Sequence, residues 1–311
     1  MNALVKNYND VELQNEFNFN EFENRFFEML NVKETTYNTY KVSLKSFFAW
    51  LSDENITSPK ALDIVNYKRY LVNNVKSSTV NLYLSAIKQF FSFLEVHGLY
   101  KNIAREVKGE KFSKYGKKDA LTVEQIQELL NTCDDTVKGL RDKAIISLMA
   151  SCGLRDIEVA RLCKNDIVLI DGVFYIYIQG KGRSDKDERM ALPLEVYQAI
   201  QRYLKVKRCK GSTYVFSSES NNCKGGMTVQ AISGVVKTAL RAIGLDSERL
   251  TAHSLRTSAV TNLLKQGVNV LEVQAFARHA NINTTMIYNR MVQSDSVKVR
   301  CSNLLFNGLT I

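Results

Sequence analysis

From Ser78 to Leu94 the apolar residues Val80, Leu84, Ile87, Phe91 and Leu94 fall three and four positions apart. A helix turns that spacing into one continuous buried stripe. Between Thr36 and Leu51 the same steps recur through Tyr37, Tyr40, Leu44, Phe47, Phe48 and Leu51. Lys41, Lys45, Asn81 and Lys88 fall off these stripes. Ser77-Ser78-Thr79 offers an N-cap to the later helix, and Asp63 to Val72 supplies another helix between the two. With 15 glycines and 2 prolines in 311 residues, little interrupts such helices and turn-rich β-sandwiches are disfavoured. Residues 21–105 are expected to form a small helical bundle behind an N-terminal extension, 1–20.

Residues 106–119, EVKGEKFSKYGKKD, break the pattern with two glycines and five lysines. They are expected to form an extended basic linker, either closing two domains around a rod-shaped ligand or acting as a solvated tether. Thr122-Val123-Glu124-Gln125 is a capping box that opens a helix to about Thr132. Arg141 to Ala150 reads as a buried helix. Gly172 to Ile178, GVFYIYI, is the strongest strand signal, and a second strand near Arg189 to Leu192 completes a hairpin with a long basic tip. Helical periodicity returns after Val196, with a loop at about Lys210 to Thr228. The expected fold is mainly α with a small antiparallel β-sheet.

Composition excludes several classes. Hydrophobic residues at 45% and charged residues at 24% are the balance of a soluble globular chain. No run of 18 apolar residues spans a membrane, and the N-terminus lacks a basic-then-apolar export pattern, so a cytosolic location is expected. Cysteines 133, 152, 163, 209, 223 and 301 form no CxxC pair and are expected to be free thiols. Three histidines, none at ligand spacing from a cysteine pair, give no metal site. The net charge is +10. Residues 1–105 hold 12 Lys and Arg against 11 Asp and Glu, and residues 106–311 hold 30 against 21, so the excess sits in the later part. A polyanion, nucleic acid before membrane, is the expected partner, although charge alone does not separate a nucleic-acid binder from an ordinary basic protein.

No nucleotide-binding GxxxxGK[ST] or GxGxxG loop is present, nor a close acidic trio for two metals. What remains is Arg155, Lys181, His253, Arg256, His279 and Tyr288. Singly each has an ordinary explanation. Arg155 pairs with Glu158 or Glu124, Lys181 is solvated on its hairpin tip, His253 caps a helix, and Tyr288 packs in the core. Together they suggest more. His253 and Arg256, three apart, share a helical face. His279 and Tyr288 flank NINTTMI and can face one cleft. Arginine forks bind phosphodiester oxygens and offset the charge that builds in the transition state. Tyrosine is a covalent nucleophile once a base and cationic surroundings draw off its proton. Lysine can protonate a leaving alkoxide, and histidine can move a proton or hydrogen-bond the phosphate. The set fits phosphodiester transesterification through a phosphotyrosine, which requires neither nucleotide nor metal.

In these residues the sequence resembles the tyrosine recombinase (phage integrase) family, in its Xer-like form without an arm-binding domain. The resemblance rests on SCGLRDIEVARL (151–162), IQGKGRSDKDERMALP (178–193) and LTAHSLRTSAVTNLLKQGVNVLEVQAFARHANINTTMIYNR (250–290). Arg155 and Arg256 resemble the phosphate-clamping arginines. Lys181 matches the hairpin lysine, the implied acid for the departing 5′ oxygen, with Lys186 as its rival on the same tip. His253 matches the implied proton acceptor, His279 a phosphate hydrogen-bond donor, and Tyr288 the nucleophile that keeps the 3′ phosphate. Glu158 matches an acidic position that helps hold the site. Two departures stand out: Thr257 where many relatives have histidine, and Arg278 where glycine is common.

The resemblance implies a two-domain DNA clamp: a helical SAM-like core-binding domain over 21–105 and a catalytic domain over 120–292. Lys41, Lys45 and Lys88 become candidates for contact with DNA phosphate. The tail 293–311, with Val297, Leu304, Leu305 and Phe306, is expected to dock on a neighbouring subunit or, alternatively, in cis. The implied activity is site-specific recombination of double-stranded DNA through a 3′-phosphotyrosine and a Holliday junction. A homotetramer on DNA would carry it out at the nucleoid, alone or with a second recombinase or accessory protein, without a cofactor. The alternatives are a type IB topoisomerase and a non-catalytic DNA-binding accessory factor.

Overall fold

The computed structural model describes residues 19–111, 119–180, 185–218, 223, 225–290 and 292. The chain divides into two units, Met1–Ser113 and Lys114–Ile311. Helices α1 (Phe19–Met29), α2 (Glu34–Asp53), α3 (Ala61–Asn74) and α4 (Ser77–Val96) form the first unit. Val80, Leu84, Ile87, Phe91 and Leu94 of α4 are all buried, as their spacing predicts, against Leu44, Phe47 and Leu51 of α2. Aromatic rings fill this core. Phe26 meets Phe90 edge-on at 5.5 Å, and Phe47 lies 5.1 Å from Tyr67. Such pairs add to the stabilisation from area burial alone.

Two expectations for this unit need correction. Ser77-Ser78-Thr79 form the first turn of α4 itself; Lys76 occupies the N-cap and makes no side-chain cap bond. Val75 N–H already closes α3 on Leu71 O, and Lys76 O accepts from Thr79 and Val80, so the helix has no room to begin later. The expected linker is also shorter than 106–119. Val107 is buried in the first core, Glu110 pairs with Lys68 at 2.7 Å, and both its backbone groups bond the Asn81 amide. Residues up to 110 are therefore fastened to the helical unit, not free as a tether.

The second unit opens with α5 (Val123–Asn131), capped as expected: Thr122 Oγ1 accepts from Gln125 N, and Gln125 Oε1 accepts from Thr122 N. Helix α6 (Val137–Cys152) is buried on most sides and runs through the core. It ends at Gly153, whose left-handed φ of 57° and whose tight space, with the Phe276 ring 3.0 Å from an added Cβ, both favour glycine. A short α7 (Asp156–Ala160) leads into a sheet of β1 (Ile167–Ile170), β2 (Val173–Ile178) and β3 (Glu188–Ala191), all antiparallel and in that order. The strand β1 was not expected, and Gly172 belongs to a turn instead of the strand. Asp171 and Gly172, φ 49° and 79°, make the two-residue connection between β1 and β2.

Helices α8 (Leu194–Val206), α9 (Val229–Ala242), α10 (Ala252–Lys265) and α11 (Val270–Ala277) follow, and residues 282–290 are also helical. The expectation of six free thiols fails in the loop before α9. Cys209 and Cys223 form a disulfide with Cα atoms 5.4 Å apart. The loop folds back through the Ser217–Gly226 bridge, which brings together two cysteines 14 positions apart in sequence. Cys133, Cys152 and Cys163 are free thiols. Cys301 and the tail 293–311 lie outside the described residues. Among those residues no helix is long and apolar enough to cross a membrane, and no group of His, Cys, Asp and Glu could hold a metal.

Candidate active site

Arg155 is the N-cap of α7, and the geometry of that cap builds one wall of the site. Glu158, three residues on, turns back so that its Oε2 accepts from Arg155 N at 2.9 Å and its Oε1 from Arg155 Nη1 at 2.5 Å. Glu158 is fully buried at its side chain, whereas Arg155 is 23% exposed. The ordinary explanation, a pair with Glu158, thus holds, and the same arginine also lines an open cavity of about 710 Å³ with Gly180, Glu188, Arg189, Arg278 and His279. Burial opposes ionisation of Glu158, but the guanidinium groups of Arg278 and Arg155 outweigh it and hold the carboxyl below its usual range.

Helix α10 carries His253 and Arg256 one turn apart on one face, as their spacing predicts. His253 is exposed and Arg256 is 2% exposed. Arg256 Nη1 donates to Gly153 O at 2.5 Å and Nη2 to Ala277 O, so its fork ties the ends of α6 and α11 together. Burial, with Arg155 and Arg278 nearby, pulls its pKa down to about 9. Among the neighbours acting on its charge is Tyr288.

His279 follows α11. Gln274 N–H₂ donates to its carbonyl at 3.0 Å, and its Nδ1 lies 2.9 Å from the hydroxyl of the fully buried Thr285. Burial first, then Arg256, Arg155, Arg278 and His253, depress its pKa to about 4. At neutral pH the imidazole is therefore uncharged, a hydrogen-bonding group and not a cation. The ring of Tyr288, on the helix at 282–290, stacks on it at 6.3 Å. Tyr288 is half-buried and packs against the small cluster of Val260, Leu264, Val273 and Ala277.

Arg155, Glu158, His253, Arg256, His279 and Tyr288 are thus gathered in the second unit. Lys181 lies outside the described residues. Its rival Lys186 is engaged elsewhere, on the Asp166 carboxylate and Arg161 O. Lys41 and Lys45 are exposed one turn apart on α2, and Lys88 is half-buried on α4, all in the first unit. Sequence reasoning missed Thr285, Gln274 and the Gly153 carbonyl, which orient His279 and Arg256. It noted Arg278 without its structural part: a buried guanidinium bonded to Glu158 Oε2 at 2.8 Å.

Fold and site together define a mainly helical protein of two units, the second with Arg155 and Arg278 paired to Glu158, and Arg256 close by, beside a stacked histidine and tyrosine. The chain belongs to the phage integrase family. The model for that family matches residues 119–294, and the one described as phage integrase, N-terminal SAM-like domain, matches residues 20–98. Over 185 residues the chain is 33% identical to the tyrosine recombinase XerD of Proteus mirabilis, covering 58% of this chain and 56% of that protein. Over 172 residues it is 31% identical to the tyrosine recombinase XerA of Pyrococcus horikoshii, covering 55% and 56%. The chain thus matches a little over half the length of these relatives. Among solved structures it is similar in fold to the XerH site-specific recombinase bound to palindromic difH substrate, with TM-score 0.70 and 19% identity over 91% of this chain and 84% of that one. A lambda integrase dimer bound to a COC′ core site gives TM-score 0.69 and 16% identity, covering 88% and 78%.

Proposed function

We propose that the protein is a site-specific DNA recombinase that cuts and rejoins strands through a 3′-phosphotyrosine and a Holliday junction. The observation that carries this reading is the convergence of Arg155 and Arg256, tied through Glu158, Gly153 and the end of α11, beside the stacked pair His279 and Tyr288. In this reading the Tyr288 oxygen attacks the phosphorus, its proton passing to His253. The new O–P bond replaces the bond to the 5′ oxygen, which leaves with a proton from Lys181. Arg155 and Arg256 balance the charge on the non-bridging oxygens, and His279 donates a hydrogen bond to one of them. The broken phosphodiester is conserved as the tyrosyl phosphodiester, so attack by a 5′ hydroxyl of the partner strand rejoins the DNA without a nucleotide.

The partner is double-stranded DNA with a specific site, bound by a homotetramer, alone or with a second recombinase or accessory protein. The relatives named as recombinases support this, as does the lambda integrase tetramer bound to a Holliday junction, similar in fold at TM-score 0.67. Lys41 and Lys45 would contact phosphate from α2 and Lys88 from α4, and the tail 293–311 would dock on the adjacent subunit. The test is a detergent quench of the protein on fragmented DNA from its source genome, followed by sequencing of the linked ends. Linkage at one recurrent sequence, lost in Tyr288→Phe, is expected. Linkage at all sequences with relaxation of supercoils would instead make the protein a type IB topoisomerase, and binding to a defined site without cleavage would make it an accessory factor.

A further inference from the structure

At residue 278 the backbone is left-handed, with φ 53° and ψ 47°. Glycine adopts that conformation freely, and an arginine only at an energetic cost. The arginine is nevertheless held there, because its guanidinium has turned inside and is 6% exposed. Its Nη2 donates to Glu158 Oε2 at 2.8 Å and to Gly153 O at 3.4 Å, and its Nη1 donates to Phe276 O at 3.0 Å. The backbone here serves the other arginines as well: Arg155 Nη2 donates to Arg278 O at 3.4 Å, and Arg256 Nη2 donates to Ala277 O. A closed ring results. Glu158 holds Arg155, Arg155 holds the carbonyl of Arg278, and the side chain of Arg278 returns to Glu158.

We propose that Arg278 is a positioning residue for phosphate capture, which keeps Glu158 from engaging Arg155 alone and fixes the fork of Arg155 toward the cavity. By occupying Glu158 Oε2 it shares out a carboxylate that would otherwise neutralise Arg155 by itself. Glu188 Oε2 lies 3.7 Å from Arg278 Nε on the same cavity, so Arg278 adds one positive charge beside the two carboxylates that glycine would not supply, and Arg155 keeps more of its own charge for an incoming phosphodiester. The inference rests on the recombinase reading above, since DNA phosphate is what Arg155 would clamp.

The test compares full-length wild type with Arg278→Gly and Arg278→Lys. Glycine suits the left-handed backbone, and thermal melting checks that each variant folds. On a duplex carrying the sequence recovered from wild-type adducts, Arg278→Gly should form adduct at least about 10-fold more slowly in single turnover, with DNA affinity changed less than about threefold. Arg278→Lys, which keeps the charge and loses the fork, should recover part of the rate. A glycine variant as fast as wild type overturns the inference, as does a loss explained by weaker DNA binding alone. A second readout needs no DNA. Arg256, Arg155, Arg278 and His253 all act on His279, which starts at about 4. In the free protein, NMR titration of that ring should move upward in Arg278→Gly and less in Arg278→Lys. No movement overturns the inference even if the wild type cleaves no DNA, an outcome that would itself sink the recombinase reading.

Discussion

The rings of His279 and Tyr288 lie 6.3 Å apart with planes 13° from parallel, joining the end of α11 to the helix at 282–290. Tyr288 follows His279 by nine positions, and the Thr285 hydroxyl against Nδ1 fixes the ring between. A hydrogen-bonding role for His279 depends on that contact. Thr285→Val keeps shape and burial while removing the hydroxyl, and should slow adduct formation roughly 10-fold with little loss of DNA binding. A rate equal to wild type would show that the ring needs no such orientation.

Stability should carry the signature of the same histidine. His279 titrates near 4 in the folded protein and near 6.5 when unfolded, so between these values the unfolded chain binds the extra proton. Stability is therefore full above about pH 6.5 and falls as pH drops toward 4, by on the order of 2 kcal/mol. Chemical denaturation across this range should show the loss in wild type and a smaller one in His279→Gln. Equal slopes would contradict the burial of a neutral ring.

Glu158 is the counter-charge for two guanidinium groups. Glu158→Gln leaves Arg155 and Arg278 without it and should destabilise the second unit by roughly 3 kcal/mol. Thermal melting reads this directly, and an unchanged midpoint would mean that the arginines find other partners.

Much of the first unit was legible because α2 and α4 bury one face each, so Leu44, Phe47, Val80 and Ile87 repeat at helical spacing. Helix α10 buries residues on nearly all sides, which blurs that periodicity, and His253 with Arg256 marked it by chemistry instead. Strand β1 is only four residues long, and the Asp171-Gly172 turn was its best signal. The Cys209–Cys223 pair was invisible because loop pairing, not a cysteine motif, brings the two together. The ring through Arg278 was equally hidden, since it depends on carbonyls of residues far apart in sequence.

That disulfide should stabilise the second unit. It closes a 14-residue separation, for which chain entropy predicts about 3 kcal/mol. Alkylation under denaturing conditions should count two more thiols after reduction than before it, and Cys209→Ser should melt at lower temperature. Equal thiol counts would contradict the pairing.

In the proposed reaction Tyr288 becomes covalently joined to DNA. After a detergent quench and nuclease digestion, mass spectrometry of the trapped protein should find a nucleotide 3′-phosphate on the peptide containing Tyr288, and none in Tyr288→Phe. A nucleotide on any other residue, or adducts that survive Tyr288→Phe, would contradict it.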